Sequence, residues 1–502
     1  MNSEFDDLER RLGSATRDLR TQIDNTDIPE FRPPNDGLRA IAIAAAMALI
    51  AFFGWSIISE DQPSDLDTVD NPEVENNSPQ LEDPAVVDEE TEEENEDGFI
   101  PDISNIPGPS AQDLIIGFDT TAPAEEFGPA ALGEFLPDPA YGTTIRRIVN
   151  PGDETAVVAS TSVSPENADG SHVLVLRNGQ TWEAIDRATL APQPLNAVGR
   201  RSEPHWHPED PNQLRHFPDE ADNRRLRVLA SNLDGSTETV ADLTDQLTEV
   251  FPDAAALTSG TGQDPATDGT YAWAVLDEQG NVVGLVSYNI DQDTILGTTA
   301  LTTDDSAVLD SVRVSPSGTH VLLGFQENSD VFDVVVYDVA LEERRVLVNQ
   351  RDRGGALVSM TDGADALITV NLTSDPPTGG WIYWTDLDTG EVSLLYDLFD
   401  GANTSVSFSA SPDRPGWAVL STFTCRGEGA WSCNKLVAVH LESGTLVNLA
   451  HTYLCAAAGD AIPAASVTNS FERIYFNSDS NLCGPIEARE LTVPPDIFDL
   501  RQ

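Results

Sequence analysis

Two histidines flank a tryptophan in the stretch EPHWHPEDPNQ, residues 203–213, and a third histidine, His216, follows the turn. Residues two apart on a β-strand point to the same face, so the imidazoles of His205 and His207 could share a metal ion. Such a site needs a third ligand and partners that orient the ligands, and His216 is the one nearby candidate. We therefore predict no metal here, and interpret the stretch as a strand that enters a Pro-Asp-Pro turn, with Trp206 facing the core.

Four cysteines, Cys425, Cys433, Cys455 and Cys483, all lie in the last fifth of the chain. An even, clustered set is typical of disulfides in an oxidising compartment, whereas zinc ligands come in pairs two to four residues apart. The sequence leaves the pairing open. Cys425 and Cys433 are expected to close the RGEGAWS loop and to expose Trp431 as a recognition anchor; in the alternative interpretation, Trp431 packs on its own hairpin.

The chain carries 85 Asp and Glu against 27 Lys and Arg, a formal net charge of −58. Such a field repels phosphate backbones, which excludes nucleic acid as a partner. It also argues against polyanionic sugars as ligands unless metal ions bridge them. The diffuse acidity is interpreted first as a device for solubility.

A transmembrane helix is predicted over residues 38–59, because no charged residue occurs from Ala40 to Ser59. Twenty helical residues span about 30 Å, the thickness of a bilayer core. Arginines cluster before this run and the next basic residue after it is Arg146. The positive-inside rule then places the N-terminus in the cytoplasm and the remainder of the chain outside the cell membrane.

The segments on either side of the predicted span differ in character. Residues 1–37 include a short amphipathic pattern, typical either of a solvated leader or of a helix that docks on a cytoplasmic partner. Residues 60–137 are rich in acids and contain scattered prolines. Like charges in a chain with few large apolar residues favour an extended, disordered stalk.

Residues 138–502 contain an internal repeat of β character. One element recurs as a polar or aromatic strand, a turn with proline or aspartate, and an apolar strand; clear copies are SVSPENADGSHVLVL and VRVSPSGTHVLLGF. A second element is a hairpin with an Asp/Gly turn, as in LRVLASNLDGSTETVADL. Two hairpins per repeat form a four-stranded unit, and this spacing predicts an all-β fold, a seven-bladed β-propeller, with six or eight blades as alternatives.

These repeats resemble the TolB-like, WD40-like β-propellers, and more closely the secreted bacterial propellers related in fold to the oligogalacturonate lyases. The matching stretches are DPAYGTTIRRI, ENADGS, EPHWHPEDPN, RPGWAVLST and ERIYFNSD. The resemblance spans residues 138–493 and is nearly silent on activity. A lyase of this kind would use a histidine cluster around a metal, whereas the histidines outside 205–216 are isolated: His172, His320, His440 and His451. His451, in LAHTY, matches an LAH found in related propellers.

The function predicted first is a membrane-anchored, extracytoplasmic platform that binds a protein or a glycan on the propeller face. The candidate binding residues are Trp431, His205, His207 and His451; no catalytic residue and no cofactor is predicted. A polysaccharide lyase-like or hydrolase-like enzyme is the alternative, although no nucleophile elbow, HExxH or phosphate loop occurs. A transmembrane sensor that signals through the N-terminal helix ranks third.

Overall fold

The structure is a computed structural model that describes residues 110–121, 131–150, 155–158, 160–219, 226–260, 262–302, 309–325, 334–347, 355–371, 380–398, 405–423, 431–454, 464–480 and 485–500. Within these residues it contains one nine-stranded sheet and five four-stranded sheets, and all neighbouring strands except one pair are antiparallel. This architecture confirms the predicted all-β class. The number of blades stays a prediction.

The nine-stranded sheet contains two antiparallel runs. The first sheet, as we call one run, consists of β3 (Ala156–Val157), β4 (His172–Arg177), β5 (Thr181–Asp186) and β6 (Pro192–Pro194). The closing sheet is the other run and consists of β27 (Ser466–Val467), β28 (Arg473–Ser478), β29 (Glu487–Thr492), β2 (Thr144–Arg147) and β1 (Phe135–Pro137). One parallel pair, Glu487 with Ala156, joins the two runs.

The five four-stranded sheets follow one another along the chain. The second sheet is β7 (His205–Trp206), β8 (Gln213–His216), β9 (Arg227–Asn232) and β10 (Thr237–Asp242). The third is β11 (Ala256–Thr258), β12 (Thr270–Leu276), β13 (Val282–Asn289) and β14 (Thr294–Thr299). The fourth is β15 (Leu309–Val314), β16 (His320–Phe325), β17 (Val334–Asp338) and β18 (Arg344–Leu347). The fifth is β19 (Ala356–Ser359), β20 (Asp365–Val370), β21 (Trp381–Asp386) and β22 (Val392–Asp397), and the sixth is β23 (Ser405–Ala410), β24 (Trp417–Phe423), β25 (Lys435–His440) and β26 (Thr445–His451).

The turn between the first two strands of a sheet follows the repeat seen in the sequence. In the fourth sheet the amide of Gly318 donates to the Ser315 carbonyl at 2.9 Å, and Gly318 has φ of +79°. That conformation suits glycine because it has no Cβ. The Ser-Pro-Ser-Gly sequence thus returns the chain from β15 into β16.

The apolar core lies between neighbouring sheets. Between the third and fourth sheets, for example, Ala272 and Leu285 pack with Val312, Val321 and Val335. Both faces of a sheet are covered in this arrangement, so every residue of β20 (Asp365–Val370) is buried. The α-helix α1 (Thr244–Val250) follows the second sheet and buries Leu247 in the core shared with the third sheet.

The two ends of the described chain meet in the closing sheet. Strand β2 pairs antiparallel with β29, with Ile145 opposite Leu491. Buried charges connect this sheet to the first sheet: the Glu166 carboxylate accepts from Arg473 Nε at 2.5 Å, and Arg187 Nη2 donates to Glu490 at 3.0 Å. The N- and C-terminal parts of the domain are therefore held together by both backbone pairing and ion pairs.

The described fold includes residues that precede the predicted boundary at residue 138. Residues 110–121, which the sequence assigned to the stalk, include a 3-10 turn (Ala111–Asp113), and a second 3-10 turn (Pro495–Asp499) lies against it. Ser110 Oγ donates to Asp496 Oδ2 at 2.5 Å. Within the described ranges no helix is long and apolar enough to cross a membrane. The predicted span, the N-terminal helix and most of the predicted stalk lie outside the described residues.

Candidate functional site

A cavity of about 810 Å³ opens where the first hairpins of successive sheets converge. Its wall includes turn residues of the first sheet (Glu166), the second (His207), the third (Pro265), the fourth (Pro316) and the sixth (Pro412), and it also takes residues from β19 and the closing sheet. The repeat places the same type of turn at the same position in each sheet. Residues far apart in sequence thereby surround one space, which we call the central cavity, of the size typical of a small-ligand site.

Arg215 on β8 is the most notable charged group in the wall of the central cavity. Its side chain is 8% exposed. Nη1 donates to the Tyr271 hydroxyl at 3.3 Å, Nη2 lies 3.9 Å from an Asp291 oxygen, beyond hydrogen-bonding distance, and among the described residues Nε has no hydrogen-bond partner. A guanidinium has five N–H donors. Arg215 thus retains donors that an acceptor on a ligand could fill.

Arg313 on β15 supplies a second buried guanidinium to the same wall. Its Nη1 donates to the Gly355 carbonyl at 2.5 Å, a contact that connects the fourth sheet to the start of the fifth. Two arginines are thus buried at the cavity of a strongly acidic chain, and burial strengthens their interaction with any ligand acceptor.

Asp264, from the turn between β11 and β12, lies between these arginines in sequence and also lines the central cavity. Its Oδ2 accepts a hydrogen bond from the Ser164 amide at 2.6 Å. Desolvation in the cavity wall raises the pKa of Asp264 to about 7, against the opposing effect of that hydrogen bond. A carboxyl group that titrates near neutral pH can exchange protons with a bound molecule.

The mouth of the cavity is acidic. Five exposed carboxylate residues line it: Asp169, Glu209, Asp291, Asp413 and Glu472. Buried cationic groups in the wall and anionic groups at the mouth give the cavity two distinct electrostatic zones. A ligand that carries both acceptor oxygens and donor or cationic groups matches this division.

The three histidines of the opening motif do not converge. Nε2 of His205 lies 2.8 Å from the Tyr271 hydroxyl, and desolvation lowers the pKa of this histidine to about 3. His207 lines the cavity, but its Nδ1 accepts from the amides of Glu209 and Asp210 and so caps the turn. His216 contacts Ser231 Oγ at 2.8 Å instead. No group of three or more His, Cys, Asp or Glu that could hold a metal is present among the described residues.

Comparison with solved structures decides the fold. An oligogalacturonate lyase in complex with manganese matches with a TM-score of 0.51 at 15% identity, over 73% of this chain and 97% of that chain. An oligogalacturonate lyase from Vibrio parahaemolyticus matches with a TM-score of 0.51 at 12% identity, over 72% and 97%. The chain has an oligogalacturonate lyase-like β-propeller fold. At these identities the likeness concerns the fold alone. No protein-family model and no curated protein matches the sequence.

Elsewhere in this propeller, His451 lies in a separate buried polar cluster. Its Nε2 contacts the Thr121 carbonyl at 3.0 Å and its amide donates to Asp138 Oδ2 at 2.9 Å. Lys435, on the neighbouring strand, is also fully buried. Desolvation lowers the pKa values of both His451 and Lys435. Neither residue lines the central cavity, so the binding role predicted for His451 has no support from its location.

Trp431 is buried, which corrects the expectation of an exposed anchor. The residue is 7% exposed, and its ring centroid lies 5.0 Å from that of Phe118 and 5.9 Å from that of Tyr396. The indole Nε1 donates to the Asp397 carbonyl at 3.4 Å. Trp431 therefore packs against the fifth sheet and residues 110–121, and not only on its own hairpin.

Cys433 is disulfide-bonded, and no described cysteine is free. The other three candidates, Cys425, Cys455 and Cys483, lie outside the described residues. The predicted pairing of Cys425 with Cys433 therefore stays a prediction.

Arg215, Arg313 and Asp264 are functional candidates that were not predicted from the sequence. Arg215 and Arg313 stand within short β-strands, in QLRH and SVRV, of a chain that has few basic residues. A basic residue within a strand that also carries apolar residues is a signal of a paired or functional charge. That signal could have identified both arginines, whereas nothing in the sequence distinguishes Asp264 from the many other aspartates.

Proposed function

We propose that this protein is a membrane-anchored, extracytoplasmic β-propeller of seven blades that binds a protein or glycan ligand in its central cavity. The observation that carries the proposal is Arg215, a buried guanidinium at an 810 Å³ cavity with an Nε that no described residue satisfies. A buried charged donor without a partner is costly. A ligand carboxylate or hydroxyl oxygen that accepts from Arg215 would remove that cost.

Seven blades are proposed from the strand topology. The five four-stranded sheets account for five blades, and the nine-stranded sheet divides into the four-stranded run β3–β6 and the five-stranded run β27–β29 with β2 and β1. The membrane anchor rests on the uncharged run within residues 38–59 and on the arginines that precede it. Deletion of residues 38–59 should release the protein from the membrane fraction into the supernatant.

The binding proposal is tested by affinity capture of the full-length chain from its own membranes, with mass spectrometry of retained proteins and an array of neutral and acidic oligosaccharides. We expect Arg215→Met to reduce retention of the specific ligand at least tenfold. Arg227→Met is the matched control, because Arg227 lies on β9, pairs with Asp242 at 2.7 Å and does not line the cavity. Equal retention of the ligand by wild type and Arg215→Met would contradict binding in the central cavity.

A lyase-like or hydrolase-like enzyme is the second candidate, and Asp264 favours it. Its pKa of about 7 suits a general acid or base at neutral pH, and Arg215 and Arg313 could stabilise developing negative charge at the same wall. The test is product formation from each captured saccharide. If the protein is an enzyme, we expect turnover that Asp264→Asn reduces at least a hundredfold while binding persists. If it is a binding platform, we expect capture without any product.

A further inference from the structure

Residues 115–117 pair with the edge of the sixth sheet through one antiparallel β-bridge. The Gly117 amide donates to the Leu446 carbonyl at 2.8 Å, and the Asn448 amide donates to the Ile115 carbonyl at 3.0 Å. Ile116 is bridged to Val447 in antiparallel pairing. These bonds occupy the outer edge of β26, which would otherwise present unpaired backbone groups.

Side chains of the fifth and sixth sheets contact this segment in addition to the backbone pairing. Asn448 Nδ2 donates to the carbonyls of Ile115, at 3.0 Å, and Gly117, at 2.9 Å. The Phe118 ring lies 5.0 Å from that of Trp431 and 5.7 Å from that of Tyr396. Sites for extended peptides typically combine hydrogen bonds to the peptide backbone, as from Asn448, with pockets for side chains, as formed by Trp431 and Tyr396.

The residue after Phe118 completes the recognition through a buried charge. Lys435, the only lysine of the chain, has no exposed surface. Its Nζ donates to the Asp119 carbonyl oxygen and, at 3.1 Å, to Asp119 Oδ2, which also accepts from the Tyr141 hydroxyl at 2.6 Å. Burial opposes ionisation of Asp119, but the hydrogen bonds from Tyr141, Thr121 and Lys435 hold its pKa at about 2. The site therefore pairs an ammonium group with an ionised carboxylate.

The bound segment itself remains on the surface. Ile115 is 37% exposed, Ile116 is 54% exposed and Phe118 is 61% exposed. Ala111 and Leu114, which precede these residues, are buried in the core. The side chains of Ile115, Ile116 and Phe118 are largely exposed, whereas the side chains that receive the segment, Trp431 and Lys435, are buried. The recognition groups thus belong to the propeller, and the segment occupies them as a ligand would.

We propose that the edge of β26, with Lys435 and Trp431, is a peptide-binding site for an extended segment with an aromatic residue followed by an aspartate, and that the same segment of a second copy of this chain can replace the one bound within the chain. Every copy carries both the site and its ligand, so exchange needs no new contact. A tethered segment has an effective concentration in the millimolar range, so the wild-type chain mainly occupies its own site.

Two complementary full-length variants test the exchange. The recipient variant, Phe118→Ala with Asp119→Asn, has an intact site but a segment that binds weakly. The donor variant, Lys435→Met, has an intact segment but a site that binds weakly. Carrying different affinity tags, recipient and donor should co-purify at least fivefold more than recipient with recipient or donor with donor. Co-purification at the level of the self-mixtures overturns exchange with a second copy.

A synthetic peptide of residues 110–121 tests the site independently. Because Lys435 is the only lysine, its acylation by an N-hydroxysuccinimide ester, followed by peptide mapping, reports whether the site is covered. We expect acylation at least tenfold faster in the recipient than in wild type, and slowed again by the peptide. The same peptide with Ala and Asn in place of Phe118 and Asp119 is the control. Equal acylation with and without the peptide overturns the peptide site itself.

The recipient must be folded for these results to count. If the recipient unfolds at a much lower temperature than wild type, the single variant Phe118→Ala is used in its place, because this change removes only a mostly exposed ring. Protection by the peptide in either variant supports the site. Protection by the control peptide to the same extent contradicts the recognition of Phe118 and Asp119.

Discussion

The Arg215 guanidinium and the Tyr271 hydroxyl meet behind the wall of the central cavity, with Nη1 3.3 Å from the oxygen. The same hydroxyl lies 2.8 Å from Nε2 of His205. Desolvation keeps His205 neutral, so its Nε2 can accept from the tyrosine O–H while the tyrosine oxygen accepts from Arg215. The histidine of the opening motif thus has a role in orienting an arginine and does not need a metal.

Tyr271→Phe should disturb that orientation. The change removes the acceptor for Arg215 Nη1 and leaves His205 without its hydroxyl partner. We expect ligand retention to fall about fivefold to tenfold and the free energy of unfolding to fall by about 1–2 kcal/mol. Tyr288→Phe is the control, because its hydroxyl bonds to Asp293 at 2.5 Å and does not line the cavity. The same loss of retention in both variants would contradict a specific role for Tyr271.

His205 should make the protein sensitive to acid. Its pKa is about 3 in the folded protein, against 6.5 for a free histidine side chain, so its contribution to stability is complete above pH 6.5 and is lost as the pH falls towards 3. At pH 5 this loss is about 2 kcal/mol. Urea unfolding at pH 7.5 and pH 5 should show a smaller decrease for His205→Gln than for wild type. Parallel decreases in the two proteins would exclude His205 as the cause.

Asp264 should have the opposite pH dependence. Its pKa rises from 3.8 to about 7 on folding, so its contribution is complete below pH 3.8 and is lost as the pH rises through 7. Asp264→Asn should therefore stabilise the protein at pH 8 by on the order of 2 kcal/mol. This is about half of the free energy that corresponds to the full rise in pKa, because cavity water solvates part of the charge. At pH 4 the two proteins should unfold at nearly the same urea concentration. A stabilisation that does not change with pH would argue against the raised pKa.

The ion pairs between the first and closing sheets should be essential to stability. Glu166 accepts from Arg473 at 2.5 and 2.7 Å and lies 3.4 Å from Arg187 Nε. Glu166→Gln leaves these buried cations without a full counter-charge, and we expect a loss of about 3 kcal/mol in urea unfolding. Asp242→Asn is the control: it breaks the more exposed pair with Arg227 and should cost less than about 1 kcal/mol. Similar losses for the two changes would refute the importance of burial.

The sequence predicted local structure well because its signals are local. The hairpin LRVLASNLDGSTETVADL forms β9 and β10 about the predicted Asp-Gly turn, where Gly235 has φ of +87°. Alternating apolar residues and turn residues act over a few positions, so a single stretch suffices to reveal them.

The central cavity could not be predicted in the same way. Arg215, Asp264 and Arg313 come from three different sheets, and their proximity to one space depends on how all the sheets are arranged. The prediction that Trp431 is exposed was wrong for a related reason. Phe118, which covers its ring, lies in a segment that was predicted to belong to the stalk. Contacts between distant parts of a chain have no local pattern.

The pairing of Ile145 with Leu491 has a consequence for the order in which the protein can be made. Strand β2 leaves the ribosome long before β29 exists, so it must wait without its partner while the intervening sheets are synthesised. The same delay applies during passage across a membrane in the proposed topology. The domain can therefore be completed only after β29 has been synthesised. A chain interrupted before residue 487 would leave β2 with an unpaired edge.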